Sequence, residues 1–87
     1  MPVRQVVISA HDGMHARPVA ELARLALAHS DPVILTTSDG DTVDVSSVLA
    51  VMDLTLGAGD AVTLETAPSA TAESVLDAMA AILSPRS

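Results

Sequence analysis

The residues Gly13-Met14-His15-Ala16-Arg17-Pro18 place a histidine at the start of a predicted helix. Proline fits the first turn of a helix, where its missing N–H would have no acceptor, and an apolar helical pattern begins directly after Pro18. The backbone N–H groups of Ala16 and Arg17 therefore lack partners within the helix and lie at the positive end of its dipole. With the Arg17 guanidinium they form a candidate phosphate-binding site, and His15 is the candidate nucleophile.

Strands and helices alternate on both sides of this stretch. Valine and isoleucine predict a strand over residues 2–9, in which Val6 and Ile8 share one face and Val3 and Val7 the other, so the pattern leaves open which face is buried. Apolar residues at positions 19, 22, 23 and 26 predict a helix from Ala16 to about Ala28. The remaining predicted elements are strands at 33–37, 42–45 and 61–65, a short helix at 48–54 and a final helix from about 70 to 83.

The order β-α-β-β-α-β-α predicts an α+β fold. Three helices with one apolar stripe each must cover a sheet whose strands alternate between apolar and polar residues, which leaves the other face of the sheet in contact with water. An open-faced sandwich is therefore expected, with residues 1–87 forming one domain, because a chain of 87 residues is too short for two.

Composition excludes several classes of function. The net charge is −7, and the only basic side chains besides histidine are four arginines, which argues against binding to nucleic acid. The chain has no cysteine for disulfides, no apolar run long enough to cross a membrane and no secretory signal pattern near Met1. These features favour a cytoplasmic protein.

Two segments of the chain resemble one known family. Gly-Met-His-Ala-Arg-Pro at 13–18 is similar to the phosphorylation signature of the histidine-containing phosphocarrier (HPr) of bacterial phosphotransferase systems, and the segment 47–52 is similar to that family's second signature. The resemblance implies a four-stranded antiparallel sheet in the order 1-4-2-3, covered by helices on one side. It further implies a carrier that accepts a phosphoryl group on His15, at Nδ1, from enzyme I and passes it to enzyme IIA.

The second signature suggests two further roles. Ser47 matches the family's regulatory serine, which an ATP-dependent serine kinase phosphorylates in some bacteria, although a helix N-cap also accounts for it. Ser46 and Ala50 stand where many relatives have lysine and glycine, so the identity of any modified serine is open.

A partner surface is expected on the first two helices. Val48, Leu49 and Met52 lie on a helix too short to bury them all, and the resemblance implies that this helix and the first one bind enzyme I and enzyme IIA. Arg24 is a further candidate docking residue, although it also fits a solvated stripe with Glu21. Val48 and Met52 fit the core equally well.

Several alternatives remain at this stage. His11, Asp12 and His15 are close in sequence, but a glycine lies between the two histidines and no further ligand cluster follows, so neither a metal nor a cofactor is expected. His29 is assigned no function.

Alternative functions of the whole protein also remain. Carriers of a nitrogen-regulatory or dihydroxyacetone phosphorelay share the same motifs, and a regulatory binding module that carries no phosphate is a competing class. A monomer is expected.

Overall fold

The seven predicted elements are all present, each with bounds within two residues of the prediction. The computed structural model describes residues 2–9, 16–29, 31–54, 57 and 59–84, with the backbone alone for Ala16 and Arg17. The elements are β1 (Val3–Val7), α1 (Ala16–Ala28), β2 (Val33–Thr37), β3 (Thr42–Asp44), α2 (Val48–Asp53), β4 (Ala61–Thr66) and α3 (Ala72–Leu83).

The four strands form one antiparallel sheet in the order β1-β4-β2-β3. Strand β4 is central, and its Leu64 lies opposite Arg4 of β1 and Leu35 of β2. This order confirms the one that the family resemblance implied. The β2–β3 hairpin closes through Gly40, whose φ of +94° is a conformation that glycine adopts without steric cost.

Burial alternates along the strands, so the sheet has one dry and one wet face. Val62 and Leu64 of β4 are buried, whereas Thr63 between them is only half-buried. On β1 the structure decides the point that the sequence left open, because Val6 is 6% exposed and Val7 is 56% exposed. The face that carries Val6 packs against the helices, which makes the fold the expected open-faced α+β sandwich.

The core lies between the sheet and the three helices. Each helix directs one stripe of apolar side chains inward, as their spacing predicts. The buried residues that form the core cluster are Val6, Ile8, Val19, Leu22, Ala26, Val33, Leu35, Val45, Val51, Val62, Leu64, Leu76, Met79 and Leu83. None of the helices in the described parts of the chain is long and apolar enough to cross a membrane.

An ion-pair cluster joins the edge strand β1 to α3. The Arg4 guanidinium pairs with the carboxylate of Asp77 and lies 3.3 Å from Oε1 of Glu73. The hydrogen bond to Asp77 is the main cause that raises the pKa of Arg4 above its usual value, with charge attraction and the Glu73 contact adding to it and desolvation opposing it. The cluster links the first half of α3 to the first strand.

Candidate functional site

Helix α1 begins at Ala16, directly after His15 in the chain. The prediction that a helix starts here is therefore confirmed for the backbone, with Pro18 as the third helical residue. The first turn of α1 contains no acidic residue, so no carboxylate of its own offsets the positive end of the helix dipole. The first N–H groups of a helix have no acceptor within it, and such a terminus is suited to an anion.

The remaining parts of the predicted phosphate site lie outside the described residues. These parts are Gly13, His15 and the side chain of Arg17. For Arg17 the structure describes only the backbone, as part of α1. The assignment of His15 as nucleophile and of Ala16 and Arg17 as phosphate ligands accordingly stays a prediction. His11 and Asp12, which suggested the metal alternative, lie outside the described residues as well.

The exposed face of α1 carries an ion pair in the middle of the helix. Nη2 of Arg24 lies 3.3 Å from Oε2 of Glu21, and both side chains are largely exposed. The two residues are three positions apart, so the pair is a local contact within one helix, of a kind that stabilises a helix by only about 0.2–0.5 kcal/mol. Arg24 is therefore accessible to a partner protein, but its charge is already partly balanced by Glu21.

Ser47 is the N-cap of α2. Its backbone is extended, its side chain accepts a hydrogen bond from the backbone N–H of Ala50, and its carbonyl accepts one from the N–H of Val51. Ser46 is held differently, because both its N–H and its hydroxyl donate to Oδ1 of Asp44, at 2.9 and 2.7 Å. Ser47 is exposed and Ser46 is half-buried, so the two adjacent serines differ in access to solvent.

The short helix α2 divides its apolar residues between core and surface. Val51 is completely buried, Val48 is half-buried and packs against the core, Met52 is 38% exposed and Leu49 is 77% exposed. Leu49 and Met52 thus present apolar surface to solvent, whereas Val48 contributes to the core as well. Val51, which was not singled out from the sequence, is the residue that anchors the helix.

Leu27 is a second exposed leucine that the sequence analysis did not assign. It lies near the end of α1 and is 74% exposed. Its exposure could have been predicted from its position, because Leu27 falls outside the buried stripe at positions 19, 22, 23 and 26. Leu27 is thus a large apolar side chain that α1, a helix in contact with α2, leaves open to solvent.

His29 connects the end of α1 to the start of α3. Its Nδ1 lies 3.4 Å from the hydroxyl of Thr71, the N-cap of α3, and its Nε2 is buried without a hydrogen-bond partner in the described part of the chain. Across the described residues there is no cluster of three or more His, Cys, Asp or Glu side chains able to hold a metal ion. His29 is thus placed between two helix ends.

Comparison with protein families gives one match across most of the chain. Residues 3–84 match the family model described as "PTS HPr component phosphorylation site". Among curated proteins, the chain is 36% identical over 64 residues to the phosphocarrier protein HPr of Streptomyces coelicolor, an alignment that covers 74% of this chain and 69% of that protein.

Solved structures share the fold. A phosphocarrier protein HPr from Bacillus anthracis superposes with a TM-score of 0.84 at 32% identity, covering 94% of this chain and 95% of the other. A histidine-containing phosphocarrier protein from Mycoplasma gives a TM-score of 0.83 at 20% identity, covering 98% and 100% of the two chains, and an HPr from Thermoanaerobacter tengcongensis gives 0.84 at 24% identity, covering 95% and 91%. The latter two support the fold alone.

Proposed function

Because the chain belongs to the HPr family of phosphocarriers, we propose that it carries phosphoryl groups in a phosphoenolpyruvate-dependent sugar phosphotransferase system. In this role His15 accepts a phosphoryl group from enzyme I and donates it to an enzyme IIA. The observation that supports this most strongly is the start of α1 at Ala16, the residue that follows His15 in the sequence, in a helix whose first turn has no carboxylate.

The helix terminus serves both states of His15. The positive end of the dipole disfavours protonation of the imidazole by about 0.3–1 kcal/mol, which leaves its ring nitrogen free to attack. The same dipole favours the phosphoryl dianion that forms on the ring. In the transfer, the N–P bond to enzyme I breaks as an N–P bond to Nδ1 of His15 forms, and the reverse exchange delivers the group to enzyme IIA.

Arg17 supplies the charge-assisted contact to the phosphoryl oxygens in this proposal. It is the second residue of α1, one residue beyond the N–H of Ala16. A guanidinium donates two parallel N–H bonds to a phosphoryl group, a geometry that an ammonium group cannot match. Ala16 contributes through its backbone N–H, and neither a metal nor another cofactor has a part in the exchange.

Docking of both partners takes place on the exposed faces of α1 and α2. Arg24 lies on α1, and Leu49 and Met52 on α2, with Val48 forming the base of this surface against the core. The combination of exposed apolar residues and one ion-paired arginine is suited to transient contact, in which a few buried side chains provide most of the affinity. The carrier acts as a cytoplasmic monomer of one domain.

Ser47 is the proposed regulatory position. Its exposure favours it over the neighbouring Ser46, whose hydroxyl is engaged by Asp44 and half-buried. A serine kinase that modified Ser47 would place a phosphate beside Leu49 and Met52. Negative charge at that point would have to be desolvated when a partner docks, which weakens the complex.

The pathway is tested by offering the chain to several purified partners. Transfer from phosphoenolpyruvate through enzyme I, and onward to a sugar-specific enzyme IIA, is the expected result. Faster transfer with the corresponding proteins of a nitrogen-regulatory system, or to a dihydroxyacetone kinase, would assign the carrier to that relay instead. Binding to a partner without any transfer would indicate a regulatory module.

A further inference from the structure

Strand β1 is one edge of the sheet, and half of its backbone groups face away from its neighbour β4. Beyond the end of β1, the N–H of Ile8 donates a hydrogen bond to the carbonyl of Asp60 on the β4 side. Backbone groups along an antiparallel strand point alternately toward and away from the neighbouring strand, so Val3, Gln5 and Val7 direct theirs outward. In the described parts of the chain no backbone group pairs with them. They are therefore available to a further strand.

A groove runs along this free edge, between β1 and α3. Its volume is about 320 Å³, and it is lined by residues 4–7 of β1 and by Ala80, Ala81 and Ser84 at the end of α3. The two alanines are small, which leaves room beside the strand. We call this space the β1/α3 groove. A strand added to the edge would direct every second side chain toward the helix side of the sheet, and so into the groove.

The two ends of the β1/α3 groove differ in charge. At one end the Arg4 guanidinium meets two carboxylates, those of Glu73 and Asp77, whose side chains are 70% and 63% exposed. One negative charge is thus left unbalanced there, in a chain whose net charge is −7. At the other end, beside Ala80 and Ala81, the lining side chains are uncharged. The first end favours a basic side chain and the second an apolar one.

We propose that β1 binds an extended segment of a partner protein, which joins the sheet as a fifth, antiparallel strand. The segment carries an apolar residue opposite Val6, in the groove, and a basic residue two positions later, opposite Arg4 and next to Glu73. Recognition of this kind takes its affinity from main-chain hydrogen bonds and its specificity from alternate side chains. The site lies on β1 and α3, so it is separate from the proposed phosphoryl transfer at the start of α1.

A second copy of the chain matches this pattern poorly. Two copies that used all their outward groups would pair symmetrically about Gln5, with Arg4 of each copy opposite Val6 of the other. The arginine would then enter the apolar end of the groove, and the valine would face the carboxylates. The edge is thus better suited to a foreign segment than to self-association.

The test is binding of the peptide Ser-Thr-Leu-Thr-Lys-Thr-Ser, blocked at both ends, to the whole chain, followed by NMR. Binding should shift the amide signals of Val3, Gln5 and Val7 and slow the exchange of their N–H groups with solvent. The N–H groups of Arg4 and Val6 already face β4 and should change less. A peptide with glutamate in place of lysine should bind about three- to tenfold more weakly at low salt, with a smaller difference at high salt.

Two variants with matched controls test the edge and the groove separately. Gln5→Pro removes the central outward N–H but no hydrogen bond to β4, and should weaken peptide binding about five- to tenfold. Gln5→Ala keeps that N–H and should bind within about twofold of wild type. Ala81→Leu fills the groove and should weaken binding by a similar factor, whereas Ala20→Leu adds the same volume on the exposed face of α1 and should have no effect.

Several results would overturn the proposal. These are equal binding by Gln5→Pro and Gln5→Ala, equal binding of the two peptides at low salt, shifts confined to α1 and α2, and no binding of either peptide. A dimer in sedimentation that Gln5→Pro dissociates would assign the edge to a second copy instead. Ala81→Leu decides the outcome if Gln5→Pro does not fold. Phosphoryl transfer takes no part in these measurements, so their failure leaves the proposed function unchanged.

Discussion

The Ser47 hydroxyl accepts a hydrogen bond from the backbone N–H of Ala50 at 3.4 Å and so caps the first turn of α2. Aspartate is an equally good N-cap, and its charge is favoured by the helix dipole by about 0.3–1 kcal/mol. We expect Ser47→Asp to melt at or slightly above the temperature of wild type, whereas Ser47→Ala loses about 0.5–2 kcal/mol of stability. Thermal unfolding followed by circular dichroism measures both.

The same Ser47→Asp variant should bind enzyme I more weakly than wild type, because the new carboxylate must be desolvated beside Leu49. Ser74→Asp is the control, since it adds the same charge at an exposed serine in the first turn of α3. Equal affinities of wild type and Ser47→Asp at low salt would show that α2 lies outside the interface and that Ser47 serves only as a cap.

Arg17→Ala should slow phosphoryl transfer and leave the fold stable. In the proposed function the Arg17 guanidinium is a charge-assisted donor to the phosphoryl group and has no part in the core, and substitutions outside the core usually change stability by less than about 0.5 kcal/mol. Arg17→Lys should restore only part of the rate, because a point charge lacks the planar fork of the guanidinium. Rapid-quench kinetics with phosphorylated enzyme I provides the rates. A rate for Arg17→Ala within about twofold of wild type would refute this role.

Two leucines of opposite exposure test the assignment of the core. Leu76 of α3 is completely buried, and Leu76→Ala should lower the free energy of unfolding by about 2–5 kcal/mol. Leu27 of α1 is exposed, and Leu27→Ala should change it by less than about 0.5 kcal/mol. Urea denaturation measures both values. Equal losses in the two variants would contradict the packing of α3 described above.

The Arg4 cluster should stabilise the fold to a degree that does not vary around neutral pH. Its partners raise the pKa of Arg4 above its ordinary value, so the guanidinium stays charged around neutral pH, and the contribution of that charge is lost only in strong alkali. The stability difference between wild type and Arg4→Gln should therefore be constant from about pH 6 to about pH 9. Urea denaturation across this range checks it, and a difference that disappears by the upper limit would be contrary to this account.

Strong local signals made the fold predictable. Asp31-Pro32 and the turn residues after Thr37 delimit β2, whose observed bounds, Val33–Thr37, are those predicted. The last helix was predicted from about residue 70 and begins at Ala72, because Thr71 takes the N-cap position instead of a helical one. Such differences at element ends are expected, since helix termini depend on capping contacts that periodicity does not contain.

The sequence was less informative where apolar residues occupy both faces of an element. On β1 the valines at 3, 6 and 7 gave no clear alternation, and only the packing of α3 over Arg4 and Val6 distinguishes the faces. On α2 the rotation between successive helical residues decides which side chains are buried, and it directs Val51 towards the core. Leu27 lies outside the apolar stripe of α1, and the spacing of that stripe assigns no role to a leucine on the other face of the helix.

We propose above all that His15 carries the phosphoryl group. The chain and its His15→Ala variant are incubated with enzyme I and phosphoenolpyruvate, and the products are weighed by mass spectrometry before and after treatment with acid or alkali. Wild type, His11→Ala and His29→Ala should each gain one phosphoryl group that acid removes and alkali does not, and His15→Ala should gain none. Full modification of His15→Ala would contradict the account.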